Sequence, residues 1–189
     1  MDGIIIGDSN SLFIEIDGFN NLAVAGHRVS DALDTLQGIE GGYTFIIGVG
    51  VNDSASIKDL RSDGAIRPDI DEFKSSYSTL LDLAKAKFKN VIVLGLVCSD
   101  EKPTILGSAE IRYSNDTISE FNDCIKNLCE SEGVKFVDLL PYFLGREDEL
   151  LDDHIHPNEI GKEIILSKLL DQTSVWRRSC HPSVPQGSH

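Results

Sequence analysis

A chain of 189 residues with 41% hydrophobic and 25% charged residues has the composition of one globular domain with a sizeable core. Its 31 acidic against 17 basic residues leave a formal charge of −14, which argues against nucleic acid and anionic lipid surfaces as partners, since both require clustered Lys and Arg. No run approaches the roughly 20 apolar residues of a membrane span, and the start of the chain lacks the basic, then apolar pattern of a secretory leader. A cytoplasmic protein is the expectation.

The first apolar run, Gly3–Ile6, reads as a strand that stops at Gly7-Asp8-Ser9. A second strand is expected over Asn21–Val24, just before Gly26, and a short helix over Val29–Leu36. The third, Thr44–Val49, is almost continuously apolar (Phe45, Ile46, Ile47, Val49) and runs into Gly50-Val51-Asn52-Asp53. Residues 53–69 read as a long irregular loop. Ile70, Phe73, Tyr77, Leu80, Leu81, Ala84 and Phe88 then fall on one face at helical spacing. The fourth strand, Asn90–Val97, is again apolar throughout its middle, and residues 98–108 read as a second irregular loop. A helix carrying Ile118, Phe121, Ile125, Leu128 and Cys129 leads to a fifth strand, Val134–Leu139. Asp153 and His156 precede a closing helix with Ile160, Ile164, Ile165 and Leu169. From Ser174 the apolar period lapses, so a domain over residues 1–173 and a flexible tail over residues 174–189 are expected. The four cysteines, at 98, 124, 129 and 180, form no C-x-x-C pair and read as reduced thiols.

Strands that are apolar on both faces, alternating with amphipathic helices, predict an α/β fold. Its form is a three-layer α/β/α sandwich, flavodoxin-like, on a five-stranded parallel sheet of order 2-1-3-4-5. Such sheets carry function at the carboxyl ends of their strands. Ser9, Gly26, Asn52, Asp153 and His156 all fall there. The chemistry they offer together is nucleophilic: a serine hydroxyl needs a base, a group that orients the base, and donors for an oxyanion. Singly, each has a plainer reading, Ser9 as a helix N-cap and Asn52 as a turn residue.

Gly7-Asp8-Ser9, Gly26, Gly50-x-Asn52-Asp53 and Asp153-x-x-His156-Pro157, in that order over residues 3–170, resemble the four blocks of the SGNH (GDSL-type) hydrolase superfamily. Val91–Leu96 and Asn122 are also similar to its small bacterial members. The resemblance implies a catalytic triad of Ser9 as nucleophile, His156 as base and Asp153 as its orienter. It implies an oxyanion hole from the Ser9 and Gly26 backbone N–H groups and the Asn52 amide. Asp8 is expected to serve local structure and Asp53 to order the third block. His154 reads as a rim residue, and His27, Arg28 and Asn10 as candidate substrate contacts. A metal site from Asp152, Asp153, His154 and His156 would have too few well-directed ligands, so no metal or cofactor is expected.

Only 16 residues separate Ser9 from Gly26, where many members carry a full helix. A short or missing first helix implies an open pocket, suited to a bulky or polymeric substrate with a small acyl group. The expected function is hydrolysis of a small acyl ester through an acyl-enzyme, with O-acetyl groups of a carbohydrate as substrate. An O-acyltransferase using the same residues, a lysophospholipase or thioesterase, and a non-catalytic glycan-binding domain are the alternatives.

Overall fold

Ile5, Ile6, Phe45, Ile46, Ile47, Ile92 and Val93 are almost fully buried, which is what strands covered on both faces require. The computed structural model describes residues 2–62 and 64–180, with residues 173–180 as helical backbone only. In chain order, β1 (Gly3–Gly7) ends in a 3-10 turn (Ser9–Ser11), followed by β2 (Phe19–Asn21), α1 (Val29–Gly38) and β3 (Gly42–Gly48). Two short strands, β4 (Ser56–Asp59) and β5 (Ala65–Ile66), precede α2 (Ile70–Lys87) and β6 (Phe88–Leu94). Two more, β7 (Thr104–Leu106) and β8 (Ala109–Arg112), precede α3 (Asn115–Glu132) and β9 (Lys135–Val137). Three helices close the described residues: α4 (Leu140–Phe143), α5 (Glu147–Leu150) and α6 (Glu159–Cys180).

The main sheet is parallel, in the order β2-β1-β3-β6-β9. This is the expected 2-1-3-4-5 arrangement. Ile5 stands opposite Asn21 on one side and Ile46 on the other, and Ile46 stands opposite Ile92. α1 packs on α2, and α2 on α3, as one helical layer, while α6 packs against β9 and α5. The helical periodicity is realised: Phe73, Tyr77, Leu80, Leu81 and Ala84 of α2 are buried, as are Ile118, Phe121, Ile125 and Cys129 of α3. Phe73 and Phe121 meet across these helices with ring centroids 4.5 Å apart. α2 starts where Asp69 accepts from the N–H groups of Asp71 and Glu72, satisfying two otherwise orphaned donors. α3 stops at Gly133, whose φ of 64° is the left-handed cap that a residue without Cβ adopts readily.

Four expectations need correction. Residues 53–69 and 98–108 are not simply irregular: they supply β4, β5 and β7, which join β8 in an antiparallel sheet of order β5-β4-β8-β7. Its strands escape notice because Ser56-Ile57-Lys58-Asp59 and Ala109-Glu110-Ile111-Arg112 carry no apolar run, and each finds its partner about 50 residues away. β2 lies at Phe19–Asn21, ahead of the expected Asn21–Val24, although Leu22 and Val24 continue the pairing by donating to the Ile5 and Gly7 carbonyls. Ile160 is 52% exposed, so the apolar face of α6 rests on Ile165 and Leu169 instead. Finally, α6 runs past Ser174 to Cys180, and the rest of the expected tail, residues 181–189, lies outside the described residues. Among the described residues, no helix is long and apolar enough to cross a membrane.

Candidate active site

The serine turn is seated on the sheet by the absence of side chains. Gly7 and Gly48 stand opposite each other at the ends of β1 and β3, and a Cβ on either would collide with Ser11 Oγ. With both positions bare, Ser11 settles onto the strands and its hydroxyl donates to the Gly48 carbonyl at 3.3 Å. Asp8 caps the turn by accepting from the Asn10 N–H at 2.9 Å. Asn21 closes it from the neighbouring strand, donating to the Ser11 and Ile14 carbonyls at 2.9 and 3.0 Å. The turn is the whole of the helical structure between Ser9 and Gly26.

His156 Nε2 lies 2.9 Å from Ser9 Oγ, and His156 Nδ1 lies 2.7 Å from Asp153 Oδ2. Asp153 Oδ1 accepts from the Ile155 and His156 backbone N–H groups, both at 2.9 Å, which fixes the carboxylate on its own loop. Burial pushes the Asp153 carboxyl up, but the bonds from His156 and from the two N–H groups outweigh it, and its pKa falls below the ordinary value. An ionised carboxylate only accepts, so the imidazole proton sits on Nδ1 and Nε2 faces the serine hydroxyl as an acceptor. That geometry can take the hydroxyl proton as Oγ attacks an electrophile. The relay is open to solvent: the His156 and Asp153 side chains are 45% and 53% exposed.

Three N–H donors are carried by the turn after β1 and the segments tied to it. The Val24 N–H donates to the Gly7 carbonyl and so carries the chain alongside the end of β1, and the next turn, closed from His27 N–H to Val24 carbonyl at 3.2 Å, has Gly26 at φ 81°. A positive φ at that position is the reason for a glycine there. Asn52 Nδ2 donates to the His27 carbonyl at 3.0 Å, bringing its amide to the residue after Gly26. Tyr113 Oη donates to Asn52 Oδ1 at 3.0 Å. The Ser9 and Gly26 N–H groups have no acceptor among the described residues, and Asn52 keeps one amide hydrogen unused. Asp53 accepts from the Val29 N–H at 3.2 Å, tying the Asn52 loop to the start of α1.

Two carboxyls lie close to the site, Asp8 buried and Asp53 half-buried. Burial pushes Asp8 up to about 7, against the Asn10 N–H and with help from the Asp53 charge. Burial likewise pushes Asp53 up to about 6, opposed by the Val29 N–H and Arg28. With the folded pKa of Asp8 above its ordinary 3.8, the folded chain binds more protons than the unfolded one between pH 4 and 7. Stability from this group therefore falls as pH rises through that window. Asp8→Asn keeps an acceptor for Asn10 and removes the buried charge. It is expected to raise Tm at pH 8 and to change it much less at pH 4, read by thermal melts of both proteins. An unchanged Tm difference across that range would contradict the linkage.

Of the residues singled out in the sequence, Ser9, Asp153 and His156 are joined by hydrogen bonds, while the Gly26 turn is tied to the end of β1 through Val24 and to Asn52 through the His27 carbonyl. His27 contributes its carbonyl, and the Arg28 N–H donates to Asp31. Asn10 turns its Oδ1 inward, buried and without a donor among the described residues, and lines a cavity of about 20 Å³ with Asp8 and Ser11. His154 holds Asp100: its Nδ1 lies 3.0 Å from Asp100 Oδ2, and the Asp100 N–H donates to its carbonyl. Burial raises the Asp100 carboxyl, but bonds from Lys102 and His154 prevail and bring it to about 2. Tyr113 carries no sequence signal of its own: a single aromatic ahead of a helix forms no motif, and only its contact with Asn52 gives it meaning.

An α/β/α sheet of this order, with a serine–histidine–aspartate relay and unused amide donors at its carboxyl edge, has the make-up of an ester hydrolase. Residues 9–164 match the GDSL-like lipase/acylhydrolase family, and the chain belongs to that family of carboxylic ester hydrolases. No curated protein matches the sequence. Among solved structures, a lipase/acylhydrolase from Enterococcus faecalis is similar at a TM-score of 0.71 and 17% identity, over 93% of this chain and 97% of that one. An acetylxylan esterase from Geobacillus stearothermophilus is similar at a TM-score of 0.68 and 16% identity, over 90% and 92% of the two chains. A lipolytic G-D-S-L family protein from Veillonella parvula is similar at a TM-score of 0.65 and 17% identity, over 91% and 97%.

Proposed function

We propose that this esterase removes small acyl groups, O-acetyl groups of a carbohydrate above all, through an acyl-enzyme on Ser9. His156 Nε2 takes the Ser9 proton as Oγ attacks the ester carbonyl carbon. The resulting oxyanion is held by the Ser9 and Gly26 N–H groups and the Asn52 amide, each such donor being worth about 3–4 kcal/mol in the transition state. The C–O bond to the alcohol then breaks and His156 returns the proton to the leaving oxygen. Water, deprotonated by the same imidazole, attacks the acyl carbon, and Ser9 recovers its proton as the acid departs. Asp153 holds the imidazole tautomer and stabilises the imidazolium.

The observation that carries this reading is the exposed relay, with His156 bonded to Ser9 at 2.9 Å and its side chain 45% exposed. The only helical structure between the nucleophile and Gly26 is a 3-10 turn, with no full helix to cover Ser9, which suits a substrate with a bulky alcohol portion. The net charge of −14 disfavours anionic lipid interfaces. Rates on p-nitrophenyl acetate, butyrate and octanoate, and acetate release from acetylated xylo-oligosaccharides, test it. The acetate ester is expected to give the highest kcat/KM of the three, with acetate released from the oligosaccharides. Preference for octanoate, with no release from the glycan, would move the assignment to a lipid ester.

A further inference from the structure

We infer that Tyr113 is a positioning residue of this site: its hydroxyl, donating to Asn52 Oδ1, aims the Asn52 amide N–H at the oxyanion. The inference rests on the serine mechanism proposed above and adds a member that no motif supplies.

The argument begins with the amide. Asn52 can donate two hydrogens and accept at one oxygen. One hydrogen goes to the His27 carbonyl at 3.0 Å. A single bond of that kind leaves the amide plane free to swing about the Nδ2–O axis, and the second hydrogen has no fixed direction. The Tyr113 hydroxyl, 3.0 Å from Oδ1, supplies the second point of attachment and fixes the plane. The His27 carbonyl, which can only accept, settles which end of the amide faces which way. Reversal would turn Oδ1 toward the His27 carbonyl, acceptor against acceptor, and would face the developing oxyanion with an oxygen.

Tyr113 can hold that position because its own placement is over-determined. It follows directly on β8, whose Arg112 stands opposite Ser56 of β4, so the small antiparallel sheet sets Tyr113 beside the chain that has just left Asn52 and Asp53. Immediately after it, Ser114 opens α3. The side chain is buried, with Tyr113 9% exposed, and burial together with the Asp8 charge raises the phenol above its ordinary pKa. The hydroxyl thus stays protonated and remains a donor. A phenol serving only the core would pack equally well without its oxygen; here the oxygen meets the one side-chain amide in the proposed oxyanion hole. The extra sheet, absent from the predicted elements, acquires a role as the support of that contact.

Tyr113→Phe, Asn52→Ala and the double variant, assayed on p-nitrophenyl acetate with Ser9→Ala as a control, test the inference. Asn52→Ala is expected to lower kcat by about 10²–10³-fold. Tyr113→Phe is expected to lower kcat by about tenfold with KM changed less than about twofold, because an aimed donor matters most when the charge develops. In the Asn52→Ala background the same replacement is expected to have no further effect on kcat, since the amide it aims is gone. Equal losses in both backgrounds, or an unchanged kcat in Tyr113→Phe, would overturn the inference while leaving the serine mechanism intact. Full activity in Ser9→Ala would instead overturn the mechanism and the inference with it. Melting temperatures of the parent and the four variants separate a folding defect from a catalytic one. If Tyr113→Phe melts well below the parent, binding of phenylboronic acid, a tetrahedral mimic, decides at a temperature where the variant is folded. Weakening of about tenfold sustains the inference, and unchanged affinity overturns it.

Discussion

Ser9→Ala is expected to lower kcat on p-nitrophenyl acetate by about 10⁴-fold or more, with KM within a few-fold of the parent. The prediction follows from how the local hydroxyls are spent. Ser9 Oγ is bonded to His156 Nε2 at 2.9 Å, the contact through which its proton can leave. Ser11 Oγ, on the same turn, donates to the Gly48 carbonyl, and Ser54 Oγ donates to the Val51 carbonyl at 2.7 Å. Neither can take over. The variant should fold as the parent does, because the bonds that shape the turn, Asp8 to the Asn10 N–H and Asn21 to the Ser11 and Ile14 carbonyls, do not use the Ser9 hydroxyl. A matching Tm therefore makes the loss a chemical one. Residual turnover would come from the amide donors acting on a water-attacked ester, which is why the floor is above zero. Activity within about tenfold of the parent would remove Ser9 from the mechanism.

The parts of this molecule that were legible in the sequence are those whose physics is local. Phe45-Ile46-Ile47 and Val91–Leu94 announce themselves as doubly covered strands because every residue in them is apolar. The α2 and α3 faces announce themselves by their period. Ser9, Asn52, Asp153 and His156 stood out because each follows a strand end or precedes a helix, and because their blocks resemble those of a known hydrolase superfamily. The parts that were not legible depend on partners far away in the chain. β4 is held by β8, Ser56 opposite Arg112, and its own residues are mostly polar and exposed. Tyr113 acquires its role from Asn52, and Asp100 from His154, both through tertiary contacts that propensity and periodicity do not encode. The same dependence explains β2: the sequence pattern starts an apolar strand at Asn21 with Leu22 and Val24, yet the Asn21 side chain is committed to the serine turn, and the strand centres about two residues earlier.

His156→Ala is expected to lower kcat by about 10⁴-fold or more, and His154→Ala by no more than about tenfold, on the same ester. The two histidines stand on one loop and face different carboxylates. His156 reaches Asp153 at 2.7 Å through Nδ1 and Ser9 at 2.9 Å through Nε2, so its loss removes the base proposed to accept the serine proton. His154 reaches Asp100 at 3.0 Å through Nδ1, and that bond, with the Asp100 N–H on the His154 carbonyl, fastens the segment after β6 to the loop that carries the relay. The backbone half of that fastening survives in His154→Ala. So do the bonds from the Ile155 and His156 N–H groups to Asp153, which shape the loop independently of any side chain at 154. The loss in His154→Ala should therefore be one of anchoring, visible as a lower Tm with KM and kcat both near the parent values. Asp153→Asn adds a test of the tautomer: an amide at 153 can donate to Nδ1, which would shift the ring proton to Nε2 and turn the serine-facing nitrogen from acceptor to donor. A fall in kcat approaching that of His156→Ala is expected, with the fold unchanged. If His154→Ala proved the more damaging of the two histidine replacements, the base would have to be reassigned to the histidine that faces Asp100.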